Sequence, residues 1–269
     1  MLVQNGRLGN DQDPGEMFSP LFSNPACVTF DHRMFLDEMA AKYETEIVDL
    51  DTYLECLGRY LEFTREQGAI GFKTRAMEVP EPNIAAGRAD FASWLEGAPP
   101  TPELMSVALD YVLRRAEEWD WPVAVHCGVW GDFRTVDPKN IITTVMRYPK
   151  VRFDLYHLGM PFARDCIFVA KSFPNAYLNL CWCYAVSQEM TRRSIGEMLD
   201  AVPVNKVFGF GADYIWAPEN VYGHLIMARE TIAEALTDRI ESGKLDVEGA
   251  KEICNLWLHD NPAQFYGVG

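Results

Sequence analysis

The chain has 269 residues, 48% of them hydrophobic, enough to bury one large core in a barrel-sized single domain. Its net charge of −15 argues against a nucleic-acid partner, and no apolar run of about eighteen residues offers a membrane span. The start, Met1 to Asp13, is polar and lacks the apolar region of a signal peptide. Seven cysteines at irregular spacing fit a reducing compartment better than a disulfide framework, so a cytoplasmic protein is expected.

Residues 1–30 are rich in Gly, Asn, Asp and Pro, with a brief apolar patch at Val28 to Phe30, and predict loop. Met34 to Tyr43 predicts a short helix. Asp49 to Glu66 predicts a longer one, with Leu50, Tyr53, Leu54, Leu57 and Leu61 spaced for an apolar face and Gly68 as its stop. The first strand pattern is Ala69 to Thr74. A loop rich in Pro, Gly and Ala is expected from Val79 to Pro100, long enough to cover a pocket. Thr101-Pro102-Glu103 has the form of a helix start, and that helix should run to about Trp119.

Two short apolar segments then each end on a histidine followed closely by glycine: Val123 to His126 before Gly128, and Val151 to His157 before Gly159. Their β-branched and aromatic content favours buried strands. A helix from Asp137 to Tyr148 should separate them. Pro161 to Phe173 reads as helix, Ala176 to Trp182 as strand, and Ser187 to Val202 as a capped helix. Val207 to Asp213 is the last strand pattern. Helices from about Pro218 to Glu241 and from Asp246 to Leu258 follow, and Asn261-Pro262 should close the second. Alternation of this kind implies βαβ units and a parallel sheet in one domain, irregular and helical over residues 1–68 and a β/α barrel portion over 69–269.

Side-chain alternation places small residues beneath a polar one at several strand ends: Ala69 and Gly71 below Lys73, Ala124 below His126, Gly209 and Gly211 below Asp213. The strand of His157 differs, since Phe153 and Leu155 fill its face. Parallel α/β folds keep their sites at these ends, so Lys73, His126, His157 and Asp213 are expected to converge. Neutral imidazoles with a carboxylate suit zinc or another divalent ion, and the ion would bring the pKa of bound water towards ~7. Lys73 could neutralise a substrate carboxylate or, carbamylated, bind metal. Trp130, Arg134, Tyr184 and Trp216 follow strand ends and are candidates for substrate contact. Cys181 and Cys183 read as buried thiols, and His32, His224 and His259 as ordinary residues, with His224 placed to line the pocket. Gly209-Phe210-Gly211 leads into Asp213, not into a phosphate-binding helix start.

This ordered set resembles the amidohydrolase superfamily, in its amidohydrolase-related (amidohydrolase 2) branch. The matching pieces are the strand with His126, His157-Leu158-Gly159 with the Pro161 helix start, Asn175 to Asn179, Phe208 to Tyr214, and Asn261 to Gly267. The resemblance implies a TIM-barrel-like fold, a divalent metal (zinc or manganese), and hydrolysis of an ester, amide or lactone bond, or lyase-type decarboxylation or isomerisation, in a small-molecule substrate. It implies His126 and Asp213 as metal ligands, His157 as ligand or catalytic residue, Asp213 as general base, and Lys73 as a metal-bridging residue. The branch's first-strand His-x-His pair is absent from this sequence: His32 stands alone in Phe30-Asp31-His32-Arg33, with no histidine two positions on. About five strands are therefore expected in a barrel incomplete at its N-terminus, its open edges covered by helices, a partner chain or the N-terminal segment, and a homo-oligomer is expected. A non-catalytic truncated paralogue is the alternative to an enzyme.

Overall fold

The computed structural model describes residues 2–5, 19–22, 26–31, 33–213 and 219–268. They form two compact units, residues 1–123 and 124–269.

The first unit carries three parallel strands, β1 (Leu2–Asn5), β2 (Ser19–Phe22) and β3 (Phe72–Arg75). β1 pairs with β2 from Leu2↔Ser19 to Asn5↔Phe22, and Phe22 pairs with Phe72. Five helices accompany them: α1 (Ala26–Thr29), α2 (Met34–Lys42), α3 (Leu50–Glu66), α4 (Ile84–Leu95) and α5 (Pro102–Glu118). The 1–30 loop expectation is thus corrected. Its described residues include two strands beyond the five expected, and the Val28 patch is helical and buried. Helix α3 begins as its sequence predicts, with Asp49 and Thr52 exchanging side-chain and backbone hydrogen bonds in a capping box. Its face of Tyr53, Leu57, Tyr60 and Leu61 is buried. Phe22 stacks on Phe72 at 5.5 Å and meets Tyr60 edge-on at 5.1 Å, which ties the sheet to α3.

The expected loop from Val79 to Pro100 also needs correction, because α4 occupies its middle. Asn83 caps that helix by accepting from the Ala85 and Ala86 amides, and Gly87, Phe91 and Trp94 form its buried face. Gly87 lies where a Cβ would come within 2.9 Å of Val107 on α5, so the two helices pack closely.

The second unit, from the second residue of β4 (Val123–His126) onward, orders β4, β5 (Phe153–Tyr156), β6 (Ala176–Asn179) and β7 (Val207–Phe208), β5 to β7 pairing in parallel. Its helices are α6 (Ile142–Arg147), α7 (Ala163–Ser172), α8 (Cys183–Val186), α9 (Gln188–Ala201), α10 (Glu219–Glu241), α11 (Val247–Asn255) and α12 (Asn261–Tyr266). The helix expected from Asp137 begins as one 3₁₀ turn, Pro138–Ile141, before α6, and another such turn, Phe133–Val136, precedes Asp137; Asp246 and Ser187 cap α11 and α9 as predicted. The final helix does not close at Asn261-Pro262. A π-helical segment, Leu256–Asp260, carries it on into α12, with Pro262 in the first turn of α12.

Two asparagines brace the strand entries. Asn175 donates to the carbonyls of Val145, Tyr148 and Val151 at 3.1 Å each, and Asn261 donates to those of Val204 and Val207 at 2.8 and 2.9 Å. On β5, the buried Asp154 carboxylate accepts from Asn179 at 2.8 Å and from the Tyr266 hydroxyl at 2.6 Å. The Lys206 ammonium donates to the Ala170 and Phe173 carbonyls at 2.5 and 2.7 Å, closing the C-terminal end of α7. No helix among the described residues is long and apolar enough to cross a membrane.

Candidate metal centre

His126 ends β4 and His157 follows β5 directly. The loops after these strands are pressed together: a Cβ on Gly128 would lie 2.0 Å from the Met160 carbonyl oxygen and 2.5 Å from Gly159. Only glycine permits that approach, and the Val129 amide uses it to donate to the Met160 carbonyl at 2.7 Å. Both loops are held in left-handed backbone, with φ of 65°, 27°, 71° and 58° at Gly128, Val129, Trp130 and Gly131, and 62°, 49° and 60° at His157, Leu158 and Gly159. Such runs are costly for side-chain-bearing residues and persist where surrounding structure fixes them.

The third residue arrives by a different route. β7 is hydrogen-bonded as strand only over Val207–Phe208, shorter than its sequence pattern. The chain then runs on to Asp213, with the Gly211 carbonyl accepting from the Trp182 amide at 3.0 Å. A Cβ on Gly211 would lie 2.8 Å from Cys181 Cβ, which explains a glycine beneath the aspartate.

His126, His157 and Asp213 offer ligand atoms that all lie within 4.8 Å of one another. His157 Nε2 stands 3.0 Å from His126 Nδ1 and 3.5 Å from Asp213 Oδ2. His157 is buried, His126 half-buried, and the Asp213 side chain 18% exposed, so one side of the cluster opens to solvent.

The other two ring nitrogens face backbone carbonyls: His157 Nδ1 the Cys181 carbonyl at 2.9 Å, His126 Nε2 the Val129 carbonyl at 3.2 Å. A carbonyl can only accept, so those nitrogens carry the protons of the neutral rings and donate. The lone pairs of His126 Nδ1 and His157 Nε2 then point at each other, beside a carboxylate. A cation completes such a pair, either the proton of the 3.0 Å hydrogen bond or a divalent metal, which the three ligand atoms could hold. Tetrahedral ligands at ~2.0–2.2 Å from zinc are themselves separated by ~3.3–3.6 Å, close to the spacing here. A metal-bound histidine is commonly oriented in this way, by an N–H to carbonyl bond from its far nitrogen.

The neighbouring thiols do not compete. Cys127 and Cys183 are buried, and burial pushes both well above the usual thiol range. All seven cysteines are free. His224 is buried between Tyr184 and Phe210, at ring distances of 5.6 and 5.3 Å, and burial lowers it to about 4.

The remaining candidates fall in different places. Lys73 is buried at the second position of β3, in the first unit. Trp130 is 60% exposed and its ring meets that of Trp182 at 4.6 Å. Arg134 is 81% exposed and bound through two nitrogens to Asp132, at 2.8 and 2.6 Å. Tyr184 turns inward on α8, is buried, and spends its hydroxyl on the Gly209 carbonyl at 2.6 Å. Trp216 and His32 lie outside the described residues.

The family model for amidohydrolases matches residues 58–268. The chain belongs to the amidohydrolase family. Protein fluG of Emericella nidulans is similar to this amidohydrolase over 150 residues at 25% identity, 54% of the present chain and 17% of that protein. The glucuronate isomerase of Caulobacter crescentus matches 93% of the chain with a TM-score of 0.77 at 16% identity. The uronate isomerase of Thermotoga maritima also matches 93%, with a TM-score of 0.76 at 16% identity. The chain spans 58% and 61% of those two proteins, less than two thirds of each. These likenesses establish the TIM-barrel-like α/β fold.

The Val129 and Cys181 carbonyls that orient the two rings are not foreseeable from residue types, since every residue carries a carbonyl.

Proposed function

We propose that this amidohydrolase is a metal-dependent enzyme acting on a small carbonyl-bearing substrate, with His126, His157 and Asp213 as its metal-facing and catalytic residues. The observation that supports it most is the approach of His126 Nδ1 and His157 Nε2 to 3.0 Å beside the Asp213 carboxylate, each ring fixed by a backbone carbonyl. A divalent ion, zinc or manganese, held by these atoms would supply electrophilic polarisation of a carbonyl and an acidified water. Asp213 is the proton carrier, because its carboxylate reaches the cluster and keeps access to solvent. His157 is too buried to exchange protons with bulk water and serves as a fixed ligand or polarising group.

Isomerisation is the reaction we favour, supported by the match of 93% of the chain to the folds of two uronate isomerases. Asp213 would take the proton from a hydroxyl-bearing carbon beside an aldehyde and return it to the aldehyde carbon. The hydroxyl proton passes to the former carbonyl oxygen, so atoms and electrons balance within the substrate. Hydrolysis of an ester, amide or lactone is the second reading, supported by the family itself. Arg134 and Trp216 remain proposed substrate contacts.

The test is a panel of uronic acids, lactones, esters and aromatic carboxylates, followed by NMR in deuterated water with zinc or manganese added. Interconversion with deuterium entering the carbon next to the carbonyl supports isomerisation, and acid release from lactones or esters supports hydrolysis. Turnover that survives both chelation and Asp213→Asn would contradict the metal-dependent reading, and absence of turnover across the panel would favour the non-catalytic alternative.

A further inference from the structure

Each histidine of the centre is held by a carbonyl, and each of those carbonyls belongs to the residue immediately before a tryptophan. Val129, whose carbonyl faces His126, precedes Trp130, and Cys181, whose carbonyl faces His157, precedes Trp182. Both tryptophans adopt left-handed backbone, φ 71° and 66°, a conformation rare for a bulky side chain. Their rings meet at 4.6 Å and 60°. Trp182 is half-buried, whereas Trp130 leaves 60% of its surface in solvent.

Burial does not account for the placement of Trp130. A residue that avoids unfavourable backbone would have served a solvent-exposed loop better. Trp182 instead supports the Trp130 ring from one side, and both are covalently tied to the groups that orient the centre. The backbone strain therefore sits one residue from each group that orients the centre, and such strain is commonly retained at functional sites.

We propose that Trp130 and Trp182 form an aromatic platform beside the His126/His157/Asp213 centre that binds the flat face of a ring-bearing carboxylate. The carboxylate or carbonyl end of that ligand is directed to the centre, and its ring face lies on Trp130. Two sources share this chemistry: an aromatic acid, offering a π face, and a cyclic sugar acid, offering a face of C–H bonds. The assignment of the ligand's polar end rests on the metal-centre reading, while the platform itself stands on the tryptophan geometry.

The test measures binding of 4-hydroxybenzoate, D-glucuronate and the open-chain control succinate by calorimetry and saturation-transfer NMR. The full chain is compared with Trp130→Ala and Trp130→Phe, and metal content is determined on the same samples. The platform predicts that at least one ring-bearing probe binds, roughly five- to tenfold more weakly in Trp130→Ala and with recovery in Trp130→Phe. Saturation should transfer most strongly to ring protons, and succinate should not respond to either variant. Preference for the benzoate or for the glucuronate identifies the source. Equal affinity of the ring probes for wild type and Trp130→Ala would overturn the proposal, as would no binding of either ring probe to the wild type. Trp130-dependent ring binding in a chain that takes up no metal would keep the platform and remove the metal reading. Metal uptake without ring discrimination would do the reverse.

Discussion

At His157 three requirements meet in one residue: a left-handed backbone, a buried ring, and two nitrogens with different tasks. Nδ1 donates to the Cys181 carbonyl, which leaves Nε2 as the acceptor-side atom facing His126 and Asp213. Asp213 supplies the negative charge of the group, so Asp213→Asn keeps the shape and removes the charge. It should weaken zinc binding by roughly tenfold or more, measured by competition with a chelating dye, while thermal stability without metal changes little. His224 gives a separate prediction about pH. Its folded value of about 4 lies below the ordinary 6.5, so the unfolded chain binds the proton first as pH falls. The stability it contributes is complete above about 6.5 and is lost as pH drops towards 4, amounting to at most ~3 kcal/mol. His224→Phe, placed against Tyr184 and Phe210, should flatten the dependence of urea midpoint on pH between those limits. An unchanged slope would show that His224 is charged in the folded chain.

The elements that build the site are legible where side chains announce them. The strand ends marked by Lys73, His126, His157, Trp182 and Asp213 all lie within or after described strands, because short β-branched runs stopped by glycine leave few alternatives. β1 and β2 are not legible. Each has four residues, Pro20 stands inside β2, and what makes them strands is pairing with each other and with Phe72 far along the chain. The α4 helix is hidden by composition, although the Asn83 cap and the Gly87, Phe91, Trp94 spacing are present. Asn83→Ala should therefore cost ~1 kcal/mol of unfolding free energy in a urea titration, a value a loop residue would not give. Gly128 sets the contact between the two histidine-bearing loops, and Gly128→Ala meets backbone oxygen as well as unfavourable φ. It should destabilise the chain by ~2 kcal/mol or more and lower metal affinity, read by urea titration and metal competition. The inward turn of Tyr184 is not legible for a related reason: strand alternation says nothing of α8, which turns its ring away from solvent.

For the molecule as a whole, the family resemblance and the α/β architecture come through because they depend on the order of many short patterns. The site comes through only in its side chains, since the carbonyls that set both histidine tautomers have no sequence signature. The missing His-x-His pair raises the question of whether a metal can be held at all. The geometry supports an answer through lone pairs and charge rather than through ligand number: two oriented imidazoles and one carboxylate already define a cation position. The most direct measurement is metal content of the purified chain after incubation with zinc or manganese and removal of excess, compared with a His126→Ala/Asp213→Ala double variant. Roughly one equivalent per wild-type chain is expected, and almost none in the folded double variant. A folded wild-type chain that retains no metal, or a double variant that retains as much, would contradict it.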